Sequence, residues 1–401
     1  MWHNVQAAPA DAILGLTEAF RHDEHPRKVN LGVGVYQDEA GVTPILAAVK
    51  EAEKILVATE VSKNYLSISG DASFATAVQE LLFGASHPAL REKRLATAQT
   101  PGGTGALRVG AELLKKFLPK ATVWISNPTW ANHKGVFAAF PQKEYPYYDA
   151  AHMGIDFPAM LAALGAVPAG DIVVLHACCH NPTGFDLTPE QWDAVSLVAA
   201  EKKWLPFVDF AYQGFAEGLV EDRYAVTRLA AAALDMLVAS SYSKNFGLYN
   251  ERCGAISLLA PSAAEAAVAA SHMKTVIRVL YSNPPAHGGL IVRTILADQG
   301  LRPMWEQELA AMRQRIVDMR RLLVEGLKER GISQDFSFMT RQRGMFSYTG
   351  LDDRVVDWLR SEKHIYMVAG GRINLAGVTK KNINYVCESI GEALTRWPSR
   401  F

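Results

Sequence analysis

The chain has 401 residues, 49% of them hydrophobic, with 41 Lys plus Arg against 41 Asp plus Glu and four Cys. Folding a chain this long removes about three-quarters of its accessible surface, enough for a full core, and the length prior of roughly 150 residues per domain allows two or three domains. A formal charge of zero argues against nucleic acid or a membrane surface as partner, because both are held by a net basic field, and four Cys are too few for a disulfide framework.

From Met1 to Leu14 there is no Lys or Arg and no continuous apolar stretch, so the opening resembles neither a secretory signal nor an Arg-rich transit peptide. Thr43-Pro44 predicts a helix over Ile45 to Val57, and Asp71 one that stops at Gly84. Short apolar runs then alternate with helical patterns. Strands are expected at Leu95 to Thr100, Thr122 to Ser126, Asp171 to Ala177, Leu205 to Asp209, Met236 to Ser241 and Gly254 to Leu259. Between them, Ala106 to Leu118 reads as a helix, and Thr188-Pro189-Glu190-Gln191 is a capping box with Pro at the first helical position. The richest apolar stretch, Gly254 to Ala270, is broken by Ser257, Pro261, Ser262 and Glu265, short of the ~18 residues a membrane span needs. A long charged helix is expected over Pro303 to Glu329. Short strands follow at Met345 to Thr349, His364 to Val368 and Arg372 to Leu375, then a last helix from Thr379. The alternation predicts an α/β fold with a mostly parallel central sheet flanked by helices. Its expected boundaries are a large domain over 45–300 and a smaller α/β domain from 1–44 and 301–401.

In open α/β sheets ligands bind beyond the carboxyl ends of strands, which directs attention to the polar residues there. Gly102-Gly103-Thr104-Gly105 opens a helix, where small residues let backbone N–H groups approach an anion; the same pattern also serves as a plain tight turn. It is not a Walker loop, and Gly32-Val33-Gly34 has Gln37 where a dinucleotide fingerprint needs its third Gly, so a nicotinamide dehydrogenase is disfavoured. Asp209 ends an apolar run, as a structural ion pair or as the partner of a bound cation. Lys244, after Ser241-Tyr242-Ser243, is either a surface lysine or one desolvated enough to form a Schiff base. Arg252 and Arg372 each read alone as solvated or anion-binding. His176, Cys178, Cys179 and His180 lack Cys-x-x-Cys spacing and a second ligand pair, so they read as a packed strand end with no metal. Taken together, Lys244, Asp209 and the 102–105 turn with Arg252 supply what pyridoxal phosphate requires: an amine, a carboxylate for the ring nitrogen and an anion cradle.

Further segments extend the pattern: Val29-Asn30-Leu31-Gly32-Val33-Gly34-Val35-Tyr36, Lys63-Asn64-Tyr65-Leu66, Ser126-Asn127-Pro128-Thr129-Trp130, His180-Asn181-Pro182-Thr183-Gly184, Asp209 to Phe215, Ser241 to Gly254, Tyr281-Ser282-Asn283-Pro284-Pro285 and Gly370 to Gly377. With them the chain resembles, nearly end to end, the class I, fold type I pyridoxal-phosphate aminotransferases, on their aspartate branch. The resemblance implies transamination of L-aspartate with 2-oxoglutarate to oxaloacetate and L-glutamate, by a ping-pong route through pyridoxamine phosphate. An aromatic or broad-specificity aminotransferase on the same scaffold is the alternative, because such sister enzymes keep both arginines. It implies Lys244 as Schiff-base and proton-transfer residue, Asp209 on the ring nitrogen with His133 behind it, Tyr212 and Asn181 on the phenolic oxygen, and Trp130 stacked on the ring. Phosphate falls to Gly103, Thr104, Ser241, Ser243, Arg252 and Tyr65. Substrate falls to Arg372 with Gly34, Trp130 and Asn181 at the α-carboxylate end and Arg278 at the side-chain carboxylate. Tyr65 and Arg278 reach across from a second subunit, which implies a homodimer with shared sites. The opening residues resemble the arm of mature family members, which leads to the expectation of a cytoplasmic chain without a presequence.

Overall fold

A computed structural model describes residues 2–6, 12–232 and 235–398. The chain divides into two compact units, 44–314 and 1–43 with 315–401. The helix Leu301–Glu329 runs unbroken through the second boundary, and no Gly or Pro marks the passage, so the sequence places the division early, at 300/301.

The larger unit is built on seven strands: β1 (Leu95–Pro101), β2 (Val123–Asn127), β3 (Gln142–Pro146), β4 (Ile172–His176), β5 (Leu205–Phe210), β6 (Met236–Ser241) and β7 (Cys253–Leu259). Their order across the sheet is β1-β7-β6-β5-β4-β2-β3. All neighbours are parallel except β7, which runs antiparallel to both β1 and β6. β4, β5 and β6 are almost wholly apolar and buried, as central parallel strands covered on both faces must be. β3 is absent from the sequence reading because it is an edge strand of Gln, Lys, Glu, Tyr and Pro with only Tyr145 buried. The helix Gly102–Phe117 lays Leu107, Ala111 and Leu114 into the same core as Ile125, Val174, Phe207 and Ile256.

Some helix starts follow local chemistry, and others lack a side-chain cap of their own. Asp71 accepts the N–H of Phe74, and Thr188 and Gln191 form the reciprocal capping box. The first of the helices after Thr43 starts later than the sequence suggests, at Ala47, and its preceding Leu46 contributes no side-chain cap. The cap comes from Glu308, whose carboxylate accepts Ala47 N–H at 2.7 Å and Ala48 N–H at 3.0 Å.

The smaller unit pairs Val29–Asn30 with Ile365–Tyr366 in parallel and Phe346–Tyr348 with Arg372–Asn374 antiparallel. Its helices include Ala12–His22, Asp353–Lys363 and Ile383–Arg396; the last starts four residues beyond Thr379, whose hydroxyl instead accepts the N–H of Asn382. Among the described residues no helix is long and apolar enough to cross a membrane.

Candidate active site

The sheet topology gathers polar residues at one end of the larger unit. β4, β5 and β6 finish there side by side, with His176 the register partner of Asp209 and Asp209 of Ala239. Because β7 is antiparallel, its first residue Cys253 lies at that same end, opposite Pro101 at the end of β1, and brings Arg252 beside Gly102. One reversed strand thus turns a sequence separation of 150 residues into contact.

Asp209 is only 8% exposed. Burial alone would raise its carboxyl, but a hydrogen bond to His133, together with the nearby His133 and Lys244, leaves it below the ordinary carboxylate range. His133 Nε2 lies 3.0 Å from Asp209 Oδ2, and its Nδ1 lies 2.8 Å from Thr129 Oγ1, so both imidazole nitrogens are engaged. Trp130 meets the His133 ring edge-on at 5.4 Å. His176 packs against His133 and His180 at 5.1 and 4.3 Å. Its ring nitrogens are buried without hydrogen-bond partners among the described residues, and burial followed by its His neighbours pushes its pKa well down, so it is neutral. The sequence offered His176 only as part of a packed strand end; its register with Asp209 is what the topology adds. Ligand atoms of His133, His176 and Asp209 lie within 4.8 Å of one another, a spacing that also suits a cation, and the His133 to Asp209 hydrogen bond already engages two of these groups.

Lys244 follows β6, with its Nζ 4.6 Å from the centre of the Tyr212 ring. Burial lowers its pKa to about 8, opposed by Asp209 and assisted by Arg252. Between pH 8 and its usual 10.5 the folded chain therefore binds fewer protons here than the unfolded chain, and stability rises with pH across that window. The penalty is fully present below pH 8 and gone above 10.5, and amounts to about 3 kcal/mol. In the cofactor-free protein, the stability difference between wild type and Lys244→Met should change by about that amount over this range in paired denaturant titrations. A flat difference refutes a desolvated amine at Lys244.

The residues expected to bind an anion include Arg252, whose charge acts on this lysine. Gly102 opens a 16-residue helix whose preceding Pro101 gives no side-chain cap, which leaves the first N–H groups available. Gly102 has φ +74°, and a Cβ there would fall 2.4 Å from Arg252 Nη2; one on Gly103 would fall 2.9 Å from Ser241 Cβ. A methyl group at either position would fill the cradle. Arg252 Nη1 donates to Ser243 Oγ at 3.3 Å and to the Tyr249 carbonyl at 2.9 Å. Ser241 and Ser243 are buried, whereas Thr104 and the Arg252 side chain are accessible. An amine, a braced carboxylate, and a helix N-terminus with an arginine and two serines are the donor set that pyridoxal phosphate calls for. The residues present fit that cofactor.

Asn181 is buried in the turn after β4, where Asp186 accepts the N–H groups of Cys179 at 2.7 Å and His180 at 2.9 Å. Tyr65 and Arg278 lie instead on the surface of the larger unit. Tyr65 is 92% exposed, and Arg278, in the last turn of the helix Ala263–Leu280, donates to Ser282 Oγ.

Arg372 and Gly34 belong to the smaller unit. Arg372 is 4% exposed, donates from Nη2 to the Gly32 carbonyl at 3.0 Å, and sits 4.3 Å over the Phe346 ring. Asn374 holds the glycine segment by donating to the Val33 and Val35 carbonyls, both at 2.7 Å.

Comparison with known proteins accords with this chemistry. The family model "Aminotransferase class I and II" matches residues 26–390. An aspartate aminotransferase of Salmonella typhi is 54% identical and one of Escherichia coli K12 is 53% identical, each over 97% of this chain and 99% of the relative. A crystal structure of an aromatic-amino-acid aminotransferase from Burkholderia pseudomallei, covalently bound to pyridoxal phosphate, superposes with a TM-score of 0.96 at 50% identity, covering 98% of this chain and 99% of that one. With a family match over more than nine-tenths of its length, the chain belongs to the class I and II aminotransferases.

Proposed function

We propose that this protein is a pyridoxal-phosphate-dependent aspartate aminotransferase, which passes the amino group of L-aspartate to 2-oxoglutarate and releases oxaloacetate and L-glutamate. The observation that carries the reading is the convergence, at one end of one sheet, of a lysine of lowered pKa, a histidine-braced aspartate and an arginine beside an uncapped helix N-terminus. Identity of 54% to an aspartate aminotransferase supports the substrate.

When bound, pyridoxal phosphate supplies a ring that withdraws electrons from the substrate Cα. The chain's own residues do the rest. Asp209, kept ionised by His133, holds a proton on the ring nitrogen. Tyr212 and Asn181 would donate hydrogen bonds to the phenolic oxygen, and Trp130 would pack against the ring. The N–H groups of Gly103 and Thr104, with Ser241, Ser243, Arg252 and Tyr65, hold the phosphate. Lys244 is neutral in a useful fraction near pH 8 and moves the proton at the substrate Cα. Arg372 grips the α-carboxylate as a bidentate fork with Gly34 beside it, and Arg278 takes the distal carboxylate.

Tyr65 and Arg278 are read as serving the site of a second copy, so the working form is a homodimer. Their exposure supports this, as do exposed Val57 and Val61 near Tyr65 and Val279 and Leu280 beside Arg278, apolar side chains of the kind an interface covers. The four free, buried cysteines suit the reducing cytoplasm. The likeness to an aromatic-amino-acid enzyme at 50% identity sustains a second reading, a broad or aromatic specificity. The ratio of kcat/KM for aspartate over phenylalanine separates the two: about tenfold or more is expected, and a ratio below one reassigns the substrate.

A further inference from the structure

The segment that follows Tyr212 is organised around a single carboxylate outside the site. Asp222, 5% exposed, accepts four N–H groups of one loop: Gly214 at 2.8 Å and Ala216 at 3.1 Å on Oδ2, Glu217 at 2.8 Å and Gly218 at 3.2 Å on Oδ1. Its own N–H donates to the Gly218 carbonyl at 3.0 Å, and the thiol of Cys178, two residues beyond β4, approaches Oδ2 at 3.8 Å. A carboxylate has about four lone-pair directions, and here protein donors from 214–218 and Cys178 use them. The same segment is tied to Asn245, the residue that follows Lys244. The Gln213 carbonyl accepts Asn245 Nδ2 at 3.2 Å, the Asn245 carbonyl accepts Trp305 Nε1 at 2.7 Å, and the Gly214 carbonyl accepts Arg313 Nη1 at 2.8 Å.

We propose that Asp222 is a positioning residue for the transamination chemistry: by gripping 214–218 it fixes where the Tyr212 hydroxyl stands relative to Lys244. This rests on the reading of Tyr212 as a donor to the cofactor's phenolic oxygen. Neutral asparagine at 222 presents one acceptor oxygen where two stood and places an amide against backbone donors, so at least two of the four N–H bonds are lost while volume is kept. Tyr212 then swings through a wider arc, and a displacement on the order of 1 Å is enough to reduce turnover strongly.

The test compares Asp222→Asn, Tyr212→Phe and Val195→Ala holoenzymes, the last a buried core residue of the helix Pro189–Lys202 that serves as a control for general loosening. The absorbance-detected ionisation of the holoenzyme is titrated, kcat and KM for 2-oxoglutarate are measured, and hydrogen exchange over 213–219 is followed in the cofactor-free proteins. Asp222→Asn is expected to move the ionisation to higher pH in the direction of Tyr212→Phe, to lower kcat about tenfold with KM nearly unchanged, and to speed exchange over 213–219. If Tyr212→Phe leaves the ionisation in place, the reading of Tyr212 fails, and the exchange data still report on the grip. If Tyr212→Phe moves it and Asp222→Asn does not, or if Val195→Ala moves it equally, the positioning role is overturned. Rapid wild-type exchange at Gly214, Ala216, Glu217 and Gly218 overturns it whether or not Asp222→Asn folds.

Discussion

Lys244→Ala is expected to bind pyridoxal phosphate and yet turn over several orders of magnitude more slowly than wild type. The two halves of this result have separate causes. Binding is expected to survive because the proposed phosphate cradle, the helix start at Gly102 with Ser241, Ser243 and Arg252, does not pass through the lysine, and because Asp209 keeps its brace from His133. Turnover fails because a positioned base contributes about 10²–10⁴ to the rate of a proton transfer, and the covalent role of the amine is lost with it. Lys244→Arg sharpens the point, since a guanidinium keeps the positive charge but does not deprotonate at accessible pH. If charge near Asp209 were what mattered, Arg would rescue; if a neutral amine matters, it fails like Ala. Single-turnover absorbance after mixing with aspartate reads the step directly, and near-normal turnover in Lys244→Ala would falsify the assignment.

Much of this site is legible in the sequence because βα units place chemistry at predictable points. The runs ending at Asp209 and Ser241 are apolar enough to be strands, so the polar residues just after them had to lie at the sheet's carboxyl end. What is not legible depends on strand order and on contacts far apart in the chain. That β7 runs antiparallel, and so delivers Arg252 to Gly102, follows from no local pattern. The register of His176 with Asp209 and the Glu308 cap on Ala47 and Ala48 are likewise pairings between distant segments. Asp222 escapes notice for a different reason: a carboxylate that accepts backbone N–H groups asks nothing of the side chains it holds, so no motif records it. β3 is invisible because an edge strand needs little apolar surface.

Arg278→Asp is expected to depress kcat/KM for aspartate and glutamate by on the order of a thousandfold or more and to leave phenylalanine within a few-fold of wild type. An opposite charge about 4 Å from a carboxylate near a protein surface is worth about 4 kcal/mol, roughly three decades in kcat/KM, and reversal adds repulsion to that loss. An aromatic side chain has no distal carboxylate to lose. Arg372 is expected to behave differently, because every amino acid carries the α-carboxylate proposed for it, and its guanidinium is anchored on the Gly32 carbonyl and the Phe346 ring. Arg372→Ala should therefore harm both substrate classes alike; an equal loss for both in Arg278→Asp refutes this division of labour. The same variants test the shared site, because Arg278 is exposed on its own chain and its proposed substrate lies with the second copy. Mixing Lys244→Ala subunits with Arg278→Asp subunits should create hybrid dimers in which one site has an intact lysine and an intact partner arginine. Aspartate turnover well above that of either parent is the expected outcome, while a mixture no better than the average of its parents would mean that Arg278 acts within its own subunit.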